Sequence, residues 1–254
     1  MTIELVRAPN PGPLTGPGTN TYVIGSAGET LVLDPGPVIN EHLDAIRVAV
    51  AGSTLVGVVV THTHPDHAPA ANGIGAEFAV PVFGFADGPG FTPTNYLDDG
   101  SLIDVGSTSL VTVHTPGHTP DHVCFGLGDS LFTGDHIVGG STVIVEDAVA
   151  YMASLEKVSR LDPGHLYPGH GPDLPEARRT IDEYIAHRIE REQQVLTAVR
   201  DGAGTTDEIV DVVYAGLDPS LRSAAAFQVD TQLRKLNREG WVVLEEGGAL
   251  GTTV

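Results

Sequence analysis

Thr61-His62-Thr63-His64-Pro65-Asp66-His67 is the stretch on which the reading of this chain turns. Between His62 and His67 stand three imidazoles and a carboxylate, the nitrogen and oxygen donors that zinc accepts. Pro65 bars a helix interior, so the donors do not share one helical face in the H-E-x-x-H manner. They lie on a tight loop. Alternate side chains of a loop splay apart, so His62 and His64 can face one cation while Asp66 and His67 face a neighbour. The preceding run, Leu55 to Val60, is short, apolar and bounded by Gly and polar residues. It reads as a buried strand, and the loop springs from its end, where a rigid sheet positions functional residues.

Three later turns repeat the pattern. His118 sits in Thr115-Pro116-Gly117-His118-Thr119, Asp135 in Phe132-Thr133-Gly134-Asp135-His136, and His170 in Tyr167-Pro168-Gly169-His170-Gly171. Each has a glycine beside it, which lets backbone approach a cation closely. A lone histidine in such a turn is more often a hydrogen-bonding turn residue. Three such turns added to the first cluster make coincidence a poor account. The segments around them, Ser109 to His114, His122 to Leu127 and Leu131-Phe132, read as strands.

Upstream, residues 20–34 read as two strands around a Gly turn, stopped by Asp34-Pro35-Gly36. Asn40 is placed to N-cap a helix over EHLDAIRVAVA, and Phe78 to Phe83 reads as another strand. Strands alternating with helices, with polar motifs at strand ends, indicate a layered α/β architecture. After about position 175 the texture changes. Pro175 opens a long helical pattern in which Ile181, Ile185, Ile189, Val195 and Val199 recur, with Gly202 as its stop. A second helix follows Thr205 or Thr206, and a third covers about Ala224 to Arg238. WVVLEE-GG-ALGTTV closes as strand, Gly turn and strand. Three helices and a hairpin in this order suggest a winged-helix module, dividing the chain into residues 1–175 and 176–254.

The 254 residues suffice for one large domain or a domain with a small module. A formal net charge of -20 repels polyanions and argues against a general nucleic-acid binder, whose affinity comes mainly from Lys and Arg on phosphates, but not against a nucleic-acid enzyme, whose metal cations carry positive charge of their own. Residues 176–254 carry 14 acidic against 9 basic side chains, so Arg234, Lys235 and Arg238 on the third helix read as a solvated face or a contact in a homo-oligomer. Cys124, in HVCFGL, reads as core. No apolar run reaches membrane-span length, and the first residues lack the signal-peptide pattern. The expectation is a cytoplasmic protein with no membrane partner.

H-x-H-x-D-H followed by separate His, Asp and His resembles the metallo-β-lactamase superfamily over about residues 15–172. The resemblance implies a four-layer αββα sandwich. It assigns His62, His64 and His118 to a first metal, Asp66, His67 and His170 to a second, and Asp135 to a bridge between them. An Asp rather than a Cys at the bridge resembles the glyoxalase II and ribonuclease branches. Asn10-Pro11-Gly12-Pro13-Leu14, Gly18-Thr19-Asn20-Thr21-Tyr22, Gly139-Gly140-Ser141-Thr142-Val143 and His187 to Leu196 are similar to the β-lactamase-like protein 2 group. That group includes an endoribonuclease acting on single-stranded RNA and carries a C-terminal winged-helix-like module. One departure follows His67, where Ala68-Pro69-Ala70-Ala71-Asn72-Gly73 replaces the usual small residue and paired glycines.

The implied chemistry is hydrolysis. Two divalent ions about 3.5–4 Å apart share a hydroxide whose pKa falls toward roughly 7. Zinc is the expected metal, and manganese and iron use the same donors. Asp66 and Asp135 are the catalytic carboxylates, with Asp66 also able to accept a proton. Asp34 is expected to orient a ligating imidazole, as are His122 and His136, each of which also reads as a core residue. Asn20, Thr21, Ser141 and Thr142 are polar loop residues able to contact substrate, and turn chemistry explains them nearly as well. His42, His114, His165 and His187 read as structural or surface residues. The leading substrate is the phosphodiester of single-stranded RNA. The alternatives are a small-molecule thioester or ester, as in glyoxalase II, and a nucleic-acid- or protein-binding winged helix with a secondary metal domain. Asp135→Ala is expected to lose bound metal and activity together. Two retained metals and normal turnover in that variant would count against the whole assignment.

Overall fold

The computed structural model of the chain describes residues 1–140, 142–244 and 250–252. A first mixed sheet has the spatial order β1 (Thr2–Arg7), β2 (Asn20–Ser26), β3 (Glu29–Leu33), β4 (Thr54–Val59), β5 (Val82–Gly84) and β6 (Asn95–Tyr96). The first three strands pair antiparallel. Crossovers through α1 (Asn40–Val50) and α2 (Ala71–Phe78) make β4 parallel to β3 and β5 parallel to β4. The second sheet begins with β7 (Leu102–Val105), β8 (Thr108–His114), β9 (Val123–Leu127) and β10 (Ser130–Gly134), all antiparallel neighbours. Helix α3 (Ala148–Leu161) then crosses over to β11 (His165–Pro168), parallel to β10 at the sheet edge.

Side chains alternate across a strand, and here both faces are buried. Tyr22, Ile24, Leu31, Leu33 and Val59 point between the sheets, where Ile103, Val105, Leu110, Phe125 and Phe132 meet them. Their neighbours Val23, Val32 and Val58 point the other way, against Ile46 of α1 and Ile74 of α2. On the second sheet Val113, Cys124 and Leu131 face outward onto Tyr151, Leu155 and Val158 of α3. The result is helix, sheet, sheet, helix: the four-layer αββα sandwich, with Cys124 buried in its core. Strands covered on both faces read as unbroken apolar runs, which is why Leu31–Leu33 and Val58–Val60 stand out in the sequence.

Beyond the sandwich run α4 (Ala177–Arg200), α5 (Thr206–Val213), a single 3-10 turn at Pro219–Leu221, and α6 (Arg222–Arg238), ending in β12 (Val242–Leu244) paired antiparallel with β13 (Leu250–Thr252). Val195, Val199, Ile209, Val229, Leu233 and Leu236 form their common core. The first turns of α4 belong elsewhere, because Ala177 and Ile181 pack with α3 on the second sheet. Ile189 lies between the two cores and is half exposed, so the expected apolar stripe along α4 is interrupted there. The Gly turn at 247–248 lies outside the described residues.

Several local expectations are corrected. Helix α1 starts at Asn40 with Ile39 in the cap position and no side-chain cap bond. Phe78 ends α2 rather than starting a strand, and Ala79 takes a left-handed turn (φ 55°) before β5 opens at Val82. The helix forms because Ala71 and Ile74 find cover on the first sheet, and tertiary burial overrides the strand preference of a short apolar run. The Ala68–Gly73 departure leads directly into it, with Ala68 and Ala70 buried. Helix α3 has no counterpart in the sequence reading. Its signals are Asp147, whose carboxylate accepts the Val149 and Ala150 N–H groups as an N-cap, and the 151-155-158 spacing of its buried face.

Candidate metal centre

Every expected donor lies just past a strand of one sandwich rim. The His62–His67 loop follows β4, the His118 turn follows β8, and Asp135 and His170 follow β10 and β11. Asp34 sits immediately after β3 with φ 49°, a left-handed conformation that Asp tolerates better than most residues. Its buried carboxylate accepts the Thr61 N–H and the Thr61 Oγ1–H, each at 2.7 Å, and His67 Nδ1–H at 2.9 Å. Asp121, which sequence reasoning missed, accepts the Thr63 N–H at 2.9 Å. Its signal was Pro120-Asp121-His122, a repeat of Pro65-Asp66-His67.

The donors form two groups. Around the first, His62 Nε2 lies 2.9 Å from His64 Nδ1, and His118 Nε2 lies 3.3 Å from His62 Nε2 and 3.1 Å from His64 Nδ1. Around the second, His67 Nε2 and His170 Nε2 are 3.3 Å apart, with Asp66 Oδ2 at 3.6 Å and 3.2 Å from them. Asp135 stands between the groups. Its Oδ2 is 3.7 Å from His118 Nε2, while its Oδ1 is 3.4 Å from His67 Nε2 and 3.3 Å from His170 Nε2.

The protonation pattern suits cations. His118 Nδ1–H donates to Ile144 O at 2.6 Å and His170 Nδ1–H to Gly18 O at 3.4 Å. Thr61 spends its hydroxyl proton on Asp34, so it accepts from His62 Nδ1–H at 3.0 Å. The inward Nε2 atoms of these three rings, and of His67, therefore present lone pairs to one another. Bare nitrogens at such separations repel, and a positive charge between them removes the repulsion. Asp135 Oδ1 is buried without a hydrogen-bond partner among the described residues, a costly state that a cation relieves. The His and Asp cluster is thus compatible with a divalent metal site.

Without a cation, protons fill this role. Burial opposes charge on His67, but the Asp135 and Asp34 carboxylates outweigh it and hold its pKa well above the usual imidazole value. His170 is likewise disfavoured by burial yet raised to about 9 by Asp135 and Asp66. Burial would raise Asp66, but its bond to His170 and the charge on His67 bring it down to about 2. Burial, with the charge on His67 as a neighbour, pushes His62 well below its usual value.

The remaining expected residues fall into distinct places. His122 Nε2 accepts the Asp135 N–H at 3.1 Å, and its Nδ1 meets Thr115 Oγ1 at 2.9 Å. His136 touches no donor of the cluster; it packs edge-on to Tyr151, and burial pushes its pKa down to about 3. Asn20 and Thr21 are fully buried and do not reach substrate space. The Asn20 amide donates to Pro168 O and Gly171 O, both at 2.9 Å, and so fixes the His170 turn. Thr21 Oγ1 donates to Asp34 O at 2.6 Å and meets His42 Nε2 at 2.9 Å. Thr142 does line the cleft, and Ser141 lies outside the described residues. His114 stacks on Phe85, His165 bonds Asp173, and His187 is exposed on α4.

A cleft of about 390 Å³ opens over the donors. His64, Asp66, His118, Asp135 and His170 form its floor, and Leu14, Val138, Val143, Ile144, Ala224 and Phe227 its walls. Sequence reasoning missed these walls; Phe227 is 40% exposed on α6, where it faces the cleft. The recognition-helix cations are engaged elsewhere. Lys235 pairs with Glu192 and Glu239, and Arg238 with Asp147. Arg234 donates to Thr231.

Gly169 stands directly against two of the donors. A Cβ there would stand 2.7 Å from Asp135 Oδ1 and 2.8 Å from His67 Cε1. Gly169→Ala is expected to cost about 1–3 kcal/mol of stability through overpacking. Gly73→Ala, in α2 with nothing within 4 Å, is expected to hold or gain up to about 1 kcal/mol. Urea midpoints measure both, and equal midpoints for the two variants would refute the crowding argument.

Residues 14–170 match the metallo-β-lactamase superfamily, and residues 205–249 match the β-lactamase-associated winged helix domain. The chain is 34% identical over 245 residues to a β-lactamase-like protein 2 homolog of Caenorhabditis elegans, covering 92% of this chain and 83% of that protein. It is 33% identical over 254 residues to an atrochrysone carboxyl ACP thioesterase of Paecilomyces divaricatus, covering 93% and 80%. A crystal structure of a metallo-β-lactamase family protein from Thermus thermophilus shares the fold with a TM-score of 0.83 at 21% identity, over 99% of this chain and 98% of that one. With this fold, this donor cluster and these matches, the chain belongs to the metallo-β-lactamase superfamily and is a hydrolase of that fold with a C-terminal winged-helix domain.

Proposed function

We propose that the chain hydrolyses thioesters or esters of apolar acyl groups at a two-cation centre. In this reading His62, His64 and His118 would hold one divalent cation, Asp66, His67 and His170 would hold the other, and Asp135 would serve both. The nitrogen-rich donor set suits zinc, with manganese and iron as competitors. Bound there, such cations polarise an acyl carbonyl and bring the pKa of water toward roughly 7. Asp66 and Asp135 are both held below the usual carboxylate range, so they serve as charged ligands and Asp66 is a poor proton acceptor. His122 supports Asp135 through its backbone, and Asp34 fixes the His67 ring.

The observation that carries the substrate class is the cleft. Its walls are Leu14, Val138, Val143, Ile144, Ala224 and Phe227, its rim adds Glu146, and among the described residues no Lys or Arg lines it. An acyl chain gains from burial against such walls, whereas a phosphodiester backbone needs cations that this cleft does not offer. The name of the thioesterase relative points the same way. Single-stranded RNA is the second reading, favoured by Arg188 and Arg191 in an adjoining groove. Residues 1–175 supply the donors in this account, and residues 176–254 supply one wall.

The test pairs metal-loaded protein with a thioester and ester panel and with single-stranded RNA. Chelator-sensitive turnover of the acyl substrates alone is the expected result. Chelator-sensitive cleavage of RNA alone would reverse the ranking.

Cation affinity itself carries a pH signature. The raised pKa values of His67 and His170 mean that a cation must displace protons below about 9. Affinity is expected to rise with pH up to that value and then level off. The metal-free protein runs the opposite way. Protonated His67 and His170 offset the carboxylates below the ordinary imidazole value, and that stability is lost as pH rises through about 9. Titration calorimetry at several pH values, with proton release measured, checks the first trend, and urea unfolding of the metal-free protein over the same range checks the second. Affinity independent of pH between 6 and 9 would contradict the first, and stability unchanged through about 9 the second.

A further inference from the structure

The metal cleft does not end at Ile144. A second hollow of about 200 Å³ shares Leu14, Thr142, Val143, Ile144 and Ala224 with it and continues between α4 and the α5–α6 turn. Its far end is different in kind, being lined by Arg188, Arg191 and Tyr214. The two arginines stand three residues apart on α4, on one face of the helix.

Both guanidinium groups are held in place without a protein anion. Arg188 Nη2 donates to Val143 O at 2.7 Å, and its guanidinium lies over the Tyr151 ring at 4.9 Å. Its Nε is buried with no hydrogen-bond partner among the described residues. Arg191 Nη1 donates to Val213 O at 3.0 Å and Gln194 Oε1 at 2.9 Å, and the group lies over Tyr214 at 4.5 Å. Among the described residues neither has a carboxylate within ion-pair distance, although Arg47, Arg178, Arg179, Arg222, Lys235 and Arg238 all do. In a chain of 33 acidic and 13 basic residues, acidic partners are plentiful. Two cations pre-positioned by rings and carbonyls, and left unneutralised in a hollow, form a site for an anion that arrives with a ligand.

We propose that this hollow binds an anionic group, phosphate or carboxylate, carried by the substrate at the end of an apolar segment whose other end places the scissile carbonyl over the donors. The inference rests on the acyl-hydrolase reading and narrows it. The substrate is an anion-bearing thioester or ester rather than a neutral one. The anion sits either on the leaving thiol or on the acyl chain.

The experiment uses the full, metal-loaded chain and matched thioesters. One pair carries the same acyl group on pantetheine or on 4′-phosphopantetheine. A second pair carries, on pantetheine, acyl chains of equal length ending in methyl or in carboxylate. One anionic member is expected to exceed its neutral match in kcat/KM by about tenfold or more, mainly through KM. The pair that shows the gap identifies the source of the charge. Arg191→Gln, which keeps the Arg188 bond to Val143, is expected to collapse that preference, and Arg191→Lys to restore part of it. Calorimetric binding of the anionic thiol or acid product gives a second readout that needs no turnover. Thioester turnover without anionic preference overturns the proposal and leaves the acyl-hydrolase reading standing. Arginine-dependent binding of an anionic product with no thioester turnover supports the anion site and overturns the hydrolase reading. Arginine-dependent binding of single-stranded RNA, with none of either product, overturns both.

Discussion

The Asp34 carboxylate is fully buried and accepts three hydrogens, two from Thr61 and one from His67. A carboxylate in such a position is costly unless every lone pair is used, and here its partners are the two ends of the donor loop. By taking the Thr61 hydroxyl proton it obliges Thr61 to accept from His62, which sets that ring's tautomer. By taking the His67 proton it sets the other. One side chain, just past β3, thereby aims a nitrogen from each of the two donor groups. Two further donors are aimed by backbone carbonyls, His170 by Gly18 and His118 by Ile144.

That arrangement explains what was legible beforehand. The donors announce themselves because their residue types, the Pro65 block and the adjoining glycines are local properties. The sandwich strands announce themselves because burial on two faces leaves a continuous apolar run. Asp34 was legible by its Pro-Gly neighbours. Asn20 and Thr21 were misplaced for the opposite reason. The groups that consume the Asn20 amide lie 148 and 151 positions away, so no window of sequence shows that it fixes the His170 turn. The same holds for the cleft walls, which join Leu14 to Ala224 and Phe227. Helix α3 escaped because the Asp147 cap that opens it lies in a segment that reads equally well as a turn.

The winged-helix domain looked from sequence like a possible nucleic-acid reader. Two cations of α6 are engaged within the protein. Lys235 ties α6 to α4, and Arg238 reaches Asp147 at the head of α3. Helix α4 completes the link, contributing Ala177 and Ile181 to the sandwich and Val195 and Val199 to the smaller core. The domain contributes Ala224 and Phe227 to the wall of the same cleft.

Phe227 makes that wall consequential. It faces the cleft from a helix that contributes none of the donor atoms. Exchanging it for a smaller or larger ring changes which guest can settle over the donors while their chemistry stays as it is. Part of the fit thus resides in a stretch of polypeptide that carries no donor, and that part can drift without dragging the chemistry along.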